Sequence, residues 1–137
     1  MSPHVRLAGV RVGEQLPEVA ETIERVDLIR YAGASGDFNP IHWNDDVARA
    51  VGLPGVIAHG MFSMGVAARM ISAFGDNPAA IKRLRVRFSA MIQPGQTLTV
   101  SGEVADIDGD RVKVRFWGED EAGNRVLSKG EAELELG

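Results

Sequence analysis

The chain has 137 residues, of which 45% are hydrophobic and 25% charged, and this length and composition are typical of one globular domain. The formal net charge of −4 argues against a nucleic-acid-binding protein, because such proteins present a net basic surface. No cysteine is present, which excludes disulfides, thiolate nucleophiles and cysteine-ligated metals. A three-histidine metal site would need His4, His42 and His59 together, and we expect His4 to lie in a frayed terminus. We therefore predict no metal and no organic cofactor.

The N-terminal segment and the most apolar stretch both argue against a membrane role. The first 13 residues carry no long apolar run ahead of their charges, so we expect no secretory signal. The most apolar stretch, residues 56–75, contains His59 and Arg69, and a charge near the bilayer centre costs about 3 kcal/mol. We expect a single domain over residues 1–137 that is cytoplasmic and does not enter a membrane.

The N-terminal half predicts short elements separated by breaks. Pro40 cannot donate a backbone hydrogen bond and disfavours the helical region for the residue before it. Asn44 is a good helix N-cap. The predicted elements are, in chain order, extended pieces around Val10–Val12 and Val19–Ile23, a helix over Val26–Ala34, an irregular segment Ser35–Trp43 and a helix over Asp45–Val51.

The C-terminal half predicts one long helix followed by strands. The helix, Gly60–Phe74, is apolar nearly all round with Arg69 as its only charge, so we expect it to be buried on most sides. Alternating apolar residues and turn dipeptides then predict a meander of about four strands. The fold class is therefore α+β, with an antiparallel sheet curled around the long apolar helix. The predicted strands are Leu84–Phe88, Thr97–Ile107, Arg111–Trp117 and Val126–Leu136.

The irregular segment concentrates polar side chains, namely Ser35, Asp37, Asn39 and His42, around Pro40. A proline-bent loop can fold back so that Asp37 and His42 reach one water molecule. An aspartate and a histidine that share a water form a general acid–base pair, and Asn39 can fix the loop by bonding backbone groups. The alternative is that these residues serve only as turn formers.

The start of the long helix carries His59 and Gly60. Unpaired N–H groups at a helix N-terminus attract negative charge, and Gly60 leaves the backbone open to close approach. An oxygen that becomes negative during a reaction would be stabilised there. Alternatively, Gly60 only permits tight packing of the helix on the sheet, and His59 caps the helix or supports its neighbours.

Two motifs resemble a known family. Tyr31 and the run GDFNPIH at residues 36–42 are followed by HGM at residues 59–61. This combination resembles the signature of the MaoC-like (R)-specific enoyl-thioester hydratases and dehydratases. Within that family, NPIHW and the following helix resemble the catalytic beta subunit of actinobacterial (3R)-hydroxyacyl-ACP dehydratases. The segment VRFSAMIQPGQTLTVSGEV, residues 86–104, also resembles the family's later strand and turn.

The resemblance implies a hotdog fold, in which an antiparallel sheet wraps a long helix. It also implies pairing of two chains, either as a homodimer or as a heterodimer with a related subunit. The implied reaction is reversible hydration of a trans-2-enoyl thioester to the (R)-3-hydroxyacyl thioester. The implied substrates are thioesters of coenzyme A or of acyl carrier protein. Two other functions stay open: a hotdog acyl-thioesterase, and a non-catalytic accessory subunit of a dehydratase heterodimer.

The resemblance also implies a role for each candidate site residue. Asp37 and His42 would hold the water. Either one would take a proton from it as it attacks C3, and the other would supply the proton to C2. The N–H of Gly60 would bind the thioester oxygen as it gains enolate character. The supporting residues would be Ser35, Asn39 and His59.

Three arginines share one face of a predicted strand, because Arg83, Arg85 and Arg87 alternate with apolar residues. They could contact coenzyme A phosphates or an acidic carrier protein. The alternative is a solvated outer face, and a later strand shows the same alternation of cations. Of the apolar side chains on the long helix, we expect most in the core and a minority near the substrate. These side chains are Met61, Phe62, Met64, Met70 and Phe74.

Overall fold

One five-stranded antiparallel sheet and three helices make up the architecture, and the computed structural model describes residues 9–136. The strands are β1 (Val19–Thr22), β2 (Ile81–Phe88), β3 (Thr97–Asp108), β4 (Arg111–Glu119) and β5 (Arg125–Glu135). The helices are α1 (Arg25–Ser35), α2 (Asp45–Ala50) and α3 (Gly60–Gly75), and short 3₁₀ turns cover Pro40–His42 and Pro78–Ala80. Over residues 9–136, none of the helices has the length and apolar character needed to cross a membrane.

The strand order is β1-β3-β4-β5-β2. Only β3, β4 and β5 form a meander, so the prediction of a four-strand meander is wrong. Strand β2 lies at the sheet edge beside β5, where Arg83 faces Glu133 and Arg85 faces Glu131. Opposite charges at directly paired positions stabilise that register. Alternation along β2 predicts a strand, but it carries no information about which strand is its partner.

The core lies between α3 and the inner face of the sheet. Met70 and Ile71 of α3 are almost completely buried, as are Val114 and Leu134 of the sheet. Burying a side chain of this size contributes roughly 1.5–3 kcal/mol. The predicted α+β architecture, with a sheet around a long apolar helix, is therefore confirmed.

Helix α3 is buried on most sides, as predicted, but one line along its surface is exposed. The residues spaced four apart along its outer side are exposed, which places them in one line along the helix. The sheet and the neighbouring segments cover the rest of the helix, and only this line is open within residues 9–136. The exposed residues are Met61, Gly65, Arg69 and Ala73.

The N-terminal arm differs from its prediction. A turn at Val12–Gly13 stands where an extended piece around Val10–Val12 was expected. The Gly13 N–H donates to the Val104 carbonyl at 2.8 Å, and Gln15 forms an isolated bridge to Glu103. The Val104 N–H donates to the Glu14 carbonyl at 2.8 Å and the Leu16 N–H to the Gly102 carbonyl at 2.9 Å, so several backbone hydrogen bonds hold the arm on β3. His4 lies outside the described residues.

Candidate active site

The loop between α1 and α2 is shaped by a relay of three side chains. Helix α1 ends at Gly36, which adopts a left-handed conformation with φ 78°. The Ser35 hydroxyl then accepts from the Asp37 N–H, the Asp37 Oδ1 from the Asn39 N–H, and the Asn39 Oδ1 from the Ile41 N–H, each at 3.2 Å. Each contact spans two residues, which is typical of Asx and Ser/Thr turns. The relay folds the chain back toward α1.

His42 lies at the end of the 3₁₀ turn and is buried. Its Nδ1 is 2.7 Å from the carbonyl oxygen of Ile57. Because a carbonyl oxygen only accepts, Nδ1 carries the hydrogen, and Nε2 of the neutral ring has a free lone pair. The tautomer of His42 is therefore set by a backbone atom of another segment.

The free nitrogen of His42 faces Asp37. The distance from His42 Nε2 to Asp37 Oδ2 is 3.8 Å, and the Asp37 side chain is 52% exposed. This gap is too long for a direct hydrogen bond. When Asp37 is a carboxylate, both atoms are acceptors, so one water molecule can donate a hydrogen to each of them.

The segment that carries Ile57 is itself anchored on both sides. The Ile57 N–H donates to the Ile41 carbonyl at 3.1 Å, and the Ala58 N–H donates to the Ile92 carbonyl at 2.8 Å. Just before it, the Val56 N–H donates to Asp45 Oδ1 at 3.0 Å. That N–H lowers the pKa of the Asp45 carboxyl, and the nearby Arg25 guanidinium lowers it further.

Helix α3 starts beside this pair. Its first N–H groups, on Gly60 and Met61, have no backbone acceptor within residues 9–136, as expected at a helix N-terminus. A β carbon at position 60 would lie 2.9 Å from two ring atoms of Phe88. Only glycine fits there without displacing the Phe88 ring, and the backbone at Gly60 is open to a negatively charged oxygen.

His59 links the two halves of the site. It is 2% exposed, and its Nε2 lies 3.2 Å from the backbone oxygen of Asp37. Its ring stacks on His42 with centroids 3.7 Å apart, and Tyr31 meets it edge-on at 4.8 Å. Burial lowers the pKa of His59. Its Nδ1 is buried without a hydrogen-bond partner.

The same three side chains offer metal-ligand atoms. Asp37, His42 and His59 each provide one such atom, and these atoms lie within 4.8 Å of one another. A metal ion binds in the plane of an imidazole ring, about 2 Å from the nitrogen. The two imidazole planes are stacked at 21°, so their nitrogens lie side by side and do not converge on a common centre. We assign no metal to this cluster.

The structure brings together the site residues expected from the two motifs, namely Ser35, Asp37, Asn39, His42, His59 and Gly60. It places Arg83, Arg85 and Arg87 elsewhere, on the sheet face opposite α3. Arg83 Nη1 lies 3.6 Å from Glu133. Arg85 pairs with Glu131, and this contact lowers the pKa of the Glu131 carboxyl. Two of the three arginines are thus already paired within the sheet.

The apolar side chains of α3 divide between core and surface. Met70 belongs to the core, and Met61 is 56% exposed. Phe62 and Phe74 are partly buried and pack against the core, and Met64 is also half-buried. Met61 and Phe62 lie in the first turn of α3, and Phe62 packs edge-on to Tyr31 with centroids 5.8 Å apart. Proximity to a substrate remains a prediction for both.

Several contributors to the site were missed from the sequence. The Ile57 carbonyl and the Val56 N–H are backbone groups, so their side chains carry no signal of their use. Phe88 was interpreted only as a strand residue. Trp43 had no predicted role, and its Nε1–H donates to the Phe38 carbonyl at 2.9 Å. An indole donor shortly after the polar cluster is the one signal that could have tied Trp43 to this loop.

Comparison with known proteins identifies the family. Residues 10–115, which contain this whole site, match the family model for the MaoC-like domain. The chain belongs to the MaoC-like family. It is 31% identical over 119 residues to an (R)-specific enoyl-CoA hydratase of Rhodospirillum rubrum. The aligned region covers 86% of this chain and 83% of that protein.

Solved structures of MaoC-like proteins superpose closely on this chain. A MaoC-like dehydratase gives a TM-score of 0.93 at 32% identity, covering 98% of this chain and 43% of that one. An R-hydratase from Pseudomonas aeruginosa gives 0.87 at 29% identity, covering 97% of this chain and 86% of that one. The predicted hotdog fold is confirmed. The prediction of a hydro-lyase is also confirmed, since the MaoC-like family and the hydratase relatives identify the chain as a hydratase or dehydratase.

Proposed function

We propose that this protein adds water reversibly to a trans-2-enoyl thioester and forms the (R)-3-hydroxyacyl thioester. The observation that carries the proposal is the 3.8 Å gap between His42 Nε2 and Asp37 Oδ2, with His42 Nδ1 occupied by the Ile57 carbonyl. Two acceptors that face each other at this distance suit one attacking water. The R configuration and the enoyl thioester are suggested by the names of the relatives.

The first step activates the water. With both hydrogens donated to Asp37 and His42, the water turns a lone pair toward C3 of the substrate. As the O–C3 bond forms, one water proton moves to His42 Nε2. The imidazolium that results donates Nδ1–H to Ile57 O, and the Asp37 carboxylate stabilises its charge. Such proton transfer is typically worth about 10²–10⁴ in rate.

The attack on C3 moves the C2=C3 electron pair toward the carbonyl and gives an enolate oxygen. The second step returns the proton from His42 to the substrate. The Gly60 N–H binds the enolate oxygen at the start of α3, where the helix dipole also favours negative charge. His42 Nε2 then delivers its proton to C2. The sum is one water added, and His42 ends in the state in which it began.

The supporting residues act through the loop. Ser35 and Asn39 hold the turns on either side of Asp37. The Asp37 Oδ1 accepts the Asn39 N–H, which leaves Oδ2 for the water. His59 contacts both members of the pair.

We further propose coenzyme A or acyl carrier protein as the thiol and a dimer as the working state. The exposed side chains of Met61, Phe88 and Met91 are apolar surface that a second subunit would cover. A homodimer and a heterodimer with a related subunit both fit this surface. Of the three arginines on the outer face of β2, Arg87 is the best candidate to contact a phosphate or an acidic carrier protein. Arg83 and Arg85 already pair with glutamates.

The test is an assay of the purified chain with trans-2-enoyl-CoA substrates of increasing length. Loss of the enoyl absorbance, without release of free thiol, is the expected result, and chiral analysis of the product should give the R isomer. Asp37→Asn and His42→Gln should each lower kcat by about 10²–10⁴. Asp46→Asn is a matched control, because the Asp46 side chain is 99% exposed and lies in α2, outside the loop that carries the pair.

Other outcomes would identify the other functions. Release of free thiol at the rate of substrate loss would make the chain a thioesterase. Turnover that requires a second polypeptide, and that survives Asp37→Asn, would make it an accessory subunit. Full activity of both Asp37→Asn and His42→Gln would overturn the proposed roles.

A further inference from the structure

One buried side chain contacts both members of the Asp37–His42 pair through different atoms. His59 reaches the Asp37 backbone oxygen through Nε2 and supports the His42 ring through its face. We infer that His59 is a positioning residue, held as a single neutral tautomer, that sets the distance between the Asp37 carboxylate and the His42 imidazole. This inference rests on the proposed function and makes specific the supporting role that the family resemblance implies for His59.

The tautomer follows from the partner of each ring nitrogen. The Asp37 carbonyl can only accept, so His59 Nε2 must carry the hydrogen. In the neutral ring Nδ1 is then bare. Nδ1 is buried and has no partner within the described chain. A second hydrogen on Nδ1 would therefore bury both a charge and an unsatisfied donor, which is costly.

The surroundings of His59 favour the neutral ring. The titratable side chains that face it are Asp37 from the loop, His42 from the 3₁₀ turn and Tyr31 from α1. The first turn of α3 adds no acidic residue. Burial is the main cause that lowers the pKa of His59, and the neighbouring His42 also lowers it. The Asp37 carbonyl and carboxylate act in the opposite direction, but the net effect is a lowered pKa. The His59 ring is therefore neutral above neutral pH.

A neutral His59 suits the proposed chemistry of His42. The two rings stack with centroids 3.7 Å apart, so two imidazolium charges here would repel strongly. If His59 stays neutral, the proton taken from water remains on His42 and returns to the substrate. Tyr31 and Phe62 close the other side of this cluster, with Tyr31 edge-on to both His59 and Phe62. His59 thus cannot move away without repacking α1 against α3.

Two substitutions separate the two contacts. His59→Phe keeps a ring that can stack on His42 and removes the Nε2–H. His59→Gln keeps an N–H donor for the Asp37 carbonyl and removes the ring. We expect each to lower kcat by about 10–100-fold, as when a group that orients a reacting residue is removed, with KM changed less than threefold. Asp46→Asn, whose side chain is 99% exposed, is the control and should retain activity.

Nitrogen NMR of the unsubstituted protein tests the inference without a variant and without an activity assay. The ¹⁵N signals of His59 should show protonated Nε2 and bare Nδ1 throughout pH 7–8, both in the free protein and with a hydroxyacyl thioester bound. Protonation of His59 in this range, or the Nδ1–H tautomer, overturns the inference. Normal kcat in both His59 variants also overturns it.

The two failures are distinguishable. If the protein does not hydrate enoyl thioesters, the proposed function fails while the NMR result still reports the tautomer. If Asp37→Asn abolishes hydration but both His59 variants turn over normally, only the positioning role is wrong.

Discussion

The ring of Phe88 packs directly on the backbone of Gly60, so that a β carbon at position 60 would lie 2.9 Å from two ring atoms. Phe88 is the last residue of β2, and Gly60 is the first of α3. The end of an edge strand therefore forms one wall of the site where the thioester oxygen would bind. A wall of this kind excludes water, and N–H groups stabilise a negative oxygen more strongly when water is excluded.

Gly60→Ala should lower kcat by about tenfold or more, because the new methyl displaces the Phe88 ring and disturbs the N–H groups that stabilise the oxyanion. In a Phe88→Ala background the same methyl finds space, so the second substitution should cost much less than it does in the unsubstituted protein. The measurement is a double-mutant cycle on kcat/KM. Strictly additive effects would show that the two residues are not coupled, and thermal melts of all three variants confirm folding.

Asp45 positions the segment that holds His42, although it lies outside the reactive pair. Asp45→Asn keeps an oxygen for the Val56 N–H, so it should retain most of the activity. Asp45→Ala removes that acceptor, which loosens the segment that presents the Ile57 carbonyl, and should lower both Tm and kcat. Arg25→Gln removes only the exposed partner of Asp45 and should change little. Equal effects of the Asn and Ala substitutions on kcat and Tm would contradict this assignment.

Stability should fall between neutral pH and mildly acidic pH because of His59. Burial lowers the pKa of His59 below its ordinary value of 6.5, so below pH 6.5 the unfolded chain binds a proton that the folded chain does not. The free energy of unfolding is therefore intact above pH 6.5 and declines as pH falls toward the folded pKa.

Urea unfolding at pH 7.5 and 5.5 measures this effect. The denaturation midpoint of the unsubstituted protein should drop more between the two pH values than that of His59→Gln. The carboxyls with lowered pKa, those of Asp45, Asp120 and Glu131, act at lower pH and do not interfere. Parallel curves for the two proteins would rule out the contribution of His59.

Arg87 should contribute to the binding of a phosphate-bearing substrate. Together with Lys129 it lines a cavity of about 240 Å³ on the outer face of β2. Arg87→Glu should raise KM for an enoyl-CoA by about threefold to tenfold at low salt. It should leave KM for an N-acetylcysteamine thioester, which carries no phosphate, unchanged.

Arg111→Glu is the matched control for Arg87→Glu. Arg111 pairs with Glu135 at the far end of β5, so its reversal changes the net charge equally without touching the Arg87 cavity. If both charge reversals raise KM alike, the effect comes from net charge and Arg87 has no specific contact.

The polar loop was predictable because its contacts are local. Ser35, Asp37 and Asn39 each bond a backbone N–H two residues on, and residue types that do this are recognisable in a sequence. The fold class was predictable for a similar reason. The pattern of apolar residues shows which side of the helix and of each strand is buried. Few architectures bury all of these apolar sides together.

The remaining features depend on contacts between distant segments. The order of the strands depends on pairs such as Arg85 with Glu131, which alternation along one strand cannot reveal. The tautomer of His42 depends on the Ile57 carbonyl, and every residue has a carbonyl. The same limit explains the arginine face: three cations in a row suggest a ligand until the opposing glutamates of β5 are placed beside them.

The Asp37 carboxylate gives one oxygen to the backbone of Asn39 and turns the other toward His42. The same side chain thus shapes the loop and carries the proposed reactivity, so a substitution of Asp37 alters both at once. In a library that varies the length of the connection between α1 and Pro40, active members should be those in which an aspartate still accepts a backbone N–H of the loop and still faces His42.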